Sequence, residues 1–255
     1  MSPKRLVLLV EGQGDVEAAP ILLKRLLGEC SAFDAVFLDP NPLRVGGYPV
    51  ISAPPRGTPR SPHRPCPAPA TLPQRQTEVE EYGEWRRHLR NAAKRANLGA
   101  CLLLLDGDSN RVVAGQPFCA AVAAGLLAAE AKKVGAGRLF SVAIVFACLE
   151  FESWLIAGAE SLVGTTFSDG RREILKLHEA VPENPEKAPR NAKGWFNKTF
   201  VTGYRPTRDQ AELTRLVDLQ VVRARRMRSF QRLEAAIDEL VTAVRSGNHV
   251  VTPEC

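Results

Sequence analysis

Residues 5–10, RLVLLV, are a short run of apolar side chains with no polar alternation. A strand covered on both faces reads this way, because neither face is left for water. The run breaks at the turn-forming sequence EGQGD. A helical stripe of Ile21, Leu22 and Leu26 follows, with Pro20 near the helix start and Gly28 as its stop. Helical spacing returns over residues 77–98 through Val79, Tyr82, Trp85, Leu89 and Ala93, and Gly99 closes that helix. Residues 100–105, the most apolar run of the chain, predict a second buried strand ending in Asp106-Gly107-Asp108. An alanine-rich helix over 118–134 then leads to a third strand over 139–148 (LFSVAIVFAC), followed by Glu150-Phe151-Glu152.

This order of strands and helices predicts right-handed β-α-β units, and so an α/β fold with a mainly parallel sheet flanked by helices on both faces. Sites in such sheets form beyond the carboxyl ends of the strands. All three expected strands end in acids, which makes that edge the candidate site.

The pattern loosens after Trp154. A helix is expected over 171–180, then a Pro-, Lys- and Asn-rich connection over 181–197. Asp209-x-x-Glu212 resembles a capping box opening a long helical region, whose later half carries the stripe Phe230, Leu233, Ile237, Leu240 and Val244. Prolines recur from Asp39 to Pro73 without apolar period, which predicts a long loop or insertion, either a functional loop or, as favoured here, surface that the fold merely tolerates. The division expected is an α/β domain over 1–160, with the Pro-rich loop at about 39–75, and a basic, mostly helical extension over 161–255 packed on it. No internal repeat is present.

A length of 255 residues at 45% apolar content is enough to bury a full core, which excludes a disordered tail. The net charge of +6 is mild, but residues 171–232 hold fifteen Lys or Arg against seven Asp or Glu. A polyanionic partner would be held there, unless those arginines pair with local acids on a solvated helix face. Six cysteines show no C-x-x-C pair and read as reduced thiols of a cytoplasmic protein. The apolar run after Lys4 and Arg5 is too short for a signal peptide, and no stretch approaches the roughly 20 apolar residues of a membrane helix.

Clustered carboxylates repel one another unless protons or a cation offset their charge. Mg²⁺ (or Mn²⁺) accepts oxygen ligands and keeps several waters, so two or three carboxylates suffice. Asp106 and Asp108, with Gly107 between them, can converge on one ion, and Glu11, Asp15, Glu150 and Glu152 stand at matching strand ends. Taken singly, each piece has an ordinary reading: Asp-x-Asp as an Asx turn, Asp15 as a helix cap. If the third acidic turn is helical, Glu150 and Glu152 cannot share a face. Lys187 and Lys193 lie in the basic connection and could reach a phosphate, with Arg190, Arg223 and Arg226 as candidate contacts to a nucleic-acid backbone. Phosphate-binding, dinucleotide, serine-hydrolase and zinc-protease motifs are all missing, and the four histidines are scattered.

V-E-G-x-x-D after the first strand and L-L-L-D-x-D after a later one resemble the two signature motifs of the Toprim domain, shared by topoisomerases, bacterial primases and overcoming-lysogenisation-defect-type nucleases. The resemblance implies a Toprim-like, Rossmann-like fold in which Glu11 acts as general acid or base and Asp106 and Asp108 hold Mg²⁺. Across nearly the whole chain, E-F-E-S-W-L-I-A at 150–157, Tyr204-x-x-Thr207-x-Asp209-Gln210 and Ser229-Phe230 resemble the Toprim-like bacterial family called domain of unknown function 4276. None of Tyr48, Tyr82 and Tyr204 lies in a strand-breakage module, and the zinc module of a primase has no Cys/His spacing here. The expected activity is therefore a Mg²⁺-dependent nuclease on DNA or RNA, in phage defence or genome maintenance, with Lys193 assisting Glu11. The alternatives are a non-catalytic effector that binds nucleic acid or a partner ATPase, and an enzyme acting on a small phosphate ester.

Overall fold

The three apolar runs are the inner strands of one sheet. A computed structural model describes residues 2–45, 51–52, 83–107, 112–113, 116–168, 176–189, 191–200 and 203–253. β1 (Lys4–Val10) leads to α1 (Gln13–Glu29), and two short strands follow, β2 (Val36–Leu38) and β3 (Leu43–Arg44). β4 (Ile51–Ser52) precedes α2 (Gly83–Ala93), after which come β5 (Leu98–Gly107), β6 (Val112–Val113), β7 (Gln116–Pro117) and α3 (Ala120–Lys132). β8 (Ser141–Cys148) is followed by α4 (Glu152–Ala157), α5 (Ala192–Thr199), α6 (Ala211–Leu216), α7 (Leu219–Ala224), α8 (Arg228–Ser246) and β9 (Val251–Thr252).

The main sheet has six strands in the order β2-β1-β5-β8-β9, with β3 also on β1, and all of these pairings are parallel. β4, β6 and β7 form a small separate antiparallel sheet. From β1 the order runs one way to β2 and the other way to β5 and β8. The β1/β5 boundary is thus the topological switch point, where the crevice of an open α/β sheet lies.

Side chains alternate between two cores, as the period of a strand requires. Leu6, Leu8 and Val10 of β1, Leu102 and Leu104 of β5 and Val145 of β8 pack with α1 and α8. Val7, Leu9, Cys101, Leu103, Leu105, Ile144 and Phe146 pack on the opposite face with α2 and α3. Each such Leu, Val or Ile withdrawn from water contributes about 1.5–3 kcal/mol, which explains why these runs tolerate no polar position.

Several expectations are corrected. Gly99 lies inside β5 and does not close a helix. Pro20 sits in the interior of α1. Residues 176–180 are not helical, and the remainder of the helix expected over 171–180 lies outside the described residues. The polar connection over 181–197 contains the start of α5, whose first turn is capped by Asn191 Oδ1 accepting from Gly194 N. Asp209 is not an N-cap: it lies in a π-helical turn, Pro206–Gln210, and its carboxylate accepts from Arg205 N. Cys30, Cys101 and Cys148 are free thiols, and burial pushes Cys101 up to about 12 and Cys148 up to about 11, but Cys119 is disulfide-bonded. Most of the Pro-rich segment lies outside the described residues. Among the described residues no helix is long and apolar enough to cross a membrane.

Candidate metal centre at the carboxyl edge of the sheet

Register alone gathers the acids. Val10 stands beside Leu104, and Asp106 beside Ala147, so Glu11 and Asp106 leave adjacent strands at one edge, with Glu150 three residues beyond Ala147. A Cβ at Gly107 would lie 2.7 Å from the Ala147 carbonyl oxygen, so only glycine lets β5 approach β8 this closely after Asp106. Glu11 Oε2 accepts from Asp106 N at 3.3 Å. Asp106 Oδ1 accepts from Phe151 N at 2.9 Å, which links the acid of β5 to the turn after β8.

That turn resolves the question left by Glu150 and Glu152. Leu149 takes a left-handed backbone conformation (φ 66°), so Glu150 stands outside α4 while Glu152 opens it. Phe151 between them is buried in the core against Trp154. Both glutamates then face Lys193 of α5, whose Nζ lies 3.6 Å from Glu150 Oε2 and 3.9 Å from Glu152 Oε1. Glu152 is 1% exposed and accepts at Oε1 from the Tyr204 hydroxyl at 3.1 Å. Asp15, also buried, caps α1 by accepting from Gly12 N at Oδ2 and takes a hydrogen bond from Gln210 Nε2 at Oδ1.

The electrostatics are those of a charged cluster short of counter-charge. Asp106 is partly buried. Desolvation, followed by the charges of Asp15, Glu152 and Glu11, holds it well above the usual carboxylate range, against the pull of Lys193. Burial likewise pushes Glu152 up to about 7, with Lys193 opposing and Glu150 and Asp15 reinforcing. For Lys193, burial favours the neutral amine, but Glu152, Glu150, Asp106 and Asp15 outweigh it and raise its pKa, so the ammonium persists. Burial and the Glu152 charge raise Tyr204 and keep its hydroxyl a donor.

The structure therefore brings Glu11, Asp15, Asp106, Glu150, Glu152 and Lys193 together. Asp108 and Arg190 lie outside the described residues. Arg223 is turned elsewhere, paired with Glu29 and with Glu234 Oε1. Lys187 and Arg226 are exposed and make no ion pair among the described residues. Tyr204 and Gln210 stand in the sequence motif at 204–210, but nothing in their local pattern assigns them to acids 52 and 195 residues away.

Among the described residues, no three acidic, histidine or cysteine side chains close tightly enough to cage an ion by themselves. The donor chemistry nevertheless fits a hard divalent cation: every acid offers carboxylate oxygen, and Glu150 Oε2 is buried without a hydrogen-bond partner. An α/β chain with carboxylates and a lysine at the switch point of a parallel sheet is the class that fold and site define. The family model described as domain of unknown function (DUF4276) matches residues 10–238, and the chain belongs to that family. No curated protein and no solved structure matches.

Proposed function

We propose that the chain is a Mg²⁺- or Mn²⁺-dependent, Toprim-type nuclease that hydrolyses phosphodiester bonds in DNA or RNA. The supporting observation is the set of carboxylates gathered beyond β1, β5 and β8, with Asp106 and Glu152 held in protein surroundings that favour their neutralisation. Asp106, Glu150 and Glu152 would hold the ion, joined by Asp108. When bound, the ion offsets phosphate charge and lowers the pKa of a water.

The remaining roles belong to the chain. Glu11, anchored at the strand edge by Asp106 N, is the general acid or base that takes or returns the proton of the attacking water. Lys193 Nζ, kept protonated by its acidic neighbours and on a side chain 45% exposed, is the cation that would stabilise charge developing on the phosphate. The basic residues Lys187, Arg190, Arg223 and Arg226 are the candidate backbone contacts, and Arg223 would have to exchange its present partners. A polyanion held by such residues binds in a salt-dependent way.

The test is incubation of labelled single- and double-stranded DNA and RNA with the purified chain, with Mg²⁺, Mn²⁺ or EDTA, beside Asp106→Asn. Metal-dependent cutting that the variant loses supports the nuclease. Salt-sensitive binding without turnover would replace it with an effector that binds nucleic acid or a partner ATPase.

A further inference from the structure

The acid cluster has a second wall, opposite the sheet, made from the segment after α5. Two of its side chains reach in. The Tyr204 hydroxyl donates to Glu152 Oε1 at 3.1 Å, and Gln210 Nε2 donates to Asp15 Oδ1 at 2.8 Å. Both donors are themselves held. The Tyr204 ring packs on Phe196 and Phe200 at centroid separations of 5.2 and 6.2 Å, and its backbone N–H is taken by Asn197 Oδ1. Gln210 is 1% exposed at the end of the π-helical turn.

A carboxylate oxygen accepts and an amide N–H donates, so Gln210 turns its nitrogen toward Asp15 Oδ1. Gly14 permits that approach, because a Cβ there would lie 2.1 Å from Gln210 Oε1. The two supported acids end differently. Asp15 has both oxygens engaged, Oδ2 by Gly12 N and Oδ1 by Gln210. Glu152 accepts from Tyr204 at Oε1, and among the described residues its neighbour Glu150 keeps a buried Oε2 with no hydrogen bond.

We propose that Tyr204 and Gln210 are positioning residues for the acid cluster, Tyr204 aiming Glu152 at the cation and Gln210 holding Asp15 back as a source of negative field. The cation is then bound on the Glu150, Glu152 and Asp106 side, and Asp15 is not a direct ligand. This inference rests on the metal-centre reading above. Partners that orient a ligating carboxylate from behind tune metal affinity by about 10–100-fold.

The experiment is Tb³⁺ binding to the full chain, read by emission sensitised through nearby aromatic side chains and by competition with Mg²⁺. Tyr204→Phe and Gln210→Ala weaken Tb³⁺ by about tenfold or more while the melting curve without the ion stays cooperative. In a Glu152→Gln background, Tyr204→Phe has little further effect, because its action passes through that carboxylate; a merely structural tyrosine would still lower affinity there. Asp15→Asn, which preserves an acceptor for Gly12 and a partner for a rotated Gln210 amide, weakens Tb³⁺ less than Glu150→Gln does. Wild-type affinity in both Tyr204→Phe and Gln210→Ala, or an Asp15→Asn loss equal to that of Glu150→Gln, overturns the inference and leaves the metal centre standing. A wild-type chain that binds neither Tb³⁺ nor Mg²⁺ overturns the metal centre and this inference with it.

Discussion

The backbone N–H of Phe151 donates to Asp106 Oδ1 at 2.9 Å, so the turn after β8 holds the acid that ends β5. The bond orients the carboxylate without supplying the counter-charge that its acidic neighbours Asp15, Glu152 and Glu11 call for. Asp106 is consequently a place where the fold without an ion bears an electrostatic cost that an ion or a proton would relieve.

Asp106→Asn separates that cost from function. Asparagine Oδ1 still accepts from Phe151 N, while the charge facing Asp15, Glu152 and Glu11 disappears. At pH 8 without divalent ions the variant should melt at or above the wild-type temperature, and the rise in melting temperature that Mg²⁺ produces in the wild type should vanish. Calorimetric scans with and without Mg²⁺ check both. A variant destabilised without the ion would contradict this account.

Glu152 gives a pH dependence with a defined sign. Its pKa rises from 4.5 in the unfolded chain to about 7 in the folded one, so the folded state binds its proton more tightly. That contribution to stability is fully present below pH 4.5 and is lost as pH rises through about 7. Glu152→Gln keeps an acceptor for Tyr204 and removes the titration. It should flatten the fall in stability across that window and be more stable than the wild type above it, by roughly 3 kcal/mol. Urea unfolding at pH 5 and pH 8 reads the difference.

The centre of the sheet was legible because strands covered on both faces admit no polar residue, and parallel pairing sends every carboxyl end to one edge. Glu11, Asp106 and Glu150 could therefore be placed together from chain order alone. β2, β3 and β9 span three, two and two residues, too few for any period to register. α5 is short and polar, and its signal is a single Asn cap. The basic count over 171–232 does not tell which of its side chains are paired within the fold: Arg223 is engaged by Glu29 and Glu234, and only three-dimensional packing reveals this. Tyr204 and Gln210 act across the fold, a relation that no local pattern encodes.

Asp39 offers a control remote from the acid cluster. Its carboxylate is 2% exposed, pairs with Arg5 and with Arg95 at 2.7 Å each, and also accepts from Asn41 N. It ties the start of β1 to the segment following α2. Asp39→Ala leaves two partly buried guanidinium groups without their partner and should cost about 2 kcal/mol, discounted because both arginines retain some contact with water. Mg²⁺ affinity of the folded variant should be unchanged, as titration calorimetry would show.

Gly14→Ala tests the second wall from the other side. Gly14 lies in the first turn of α1, where alanine is the better helix former by about 1 kcal/mol. Propensity alone therefore predicts a more stable protein. The packing predicts the reverse: the new Cβ would stand 2.1 Å from Gln210 Oε1 and 3.0 Å from Pro206 Cβ, so Gln210 must leave Asp15 or α1 must shift. A loss of about 1–3 kcal/mol is expected from the overpacking, together with weaker Mg²⁺ binding matching that of Gln210→Ala. In a Gln210→Ala background most of the obstruction is gone, and the same Gly14→Ala change should become neutral or stabilising. Denaturation curves of the two single variants and the double variant measure this reversal. Additive losses would mean that Gly14 answers to the backbone of α1 and not to the amide that holds Asp15.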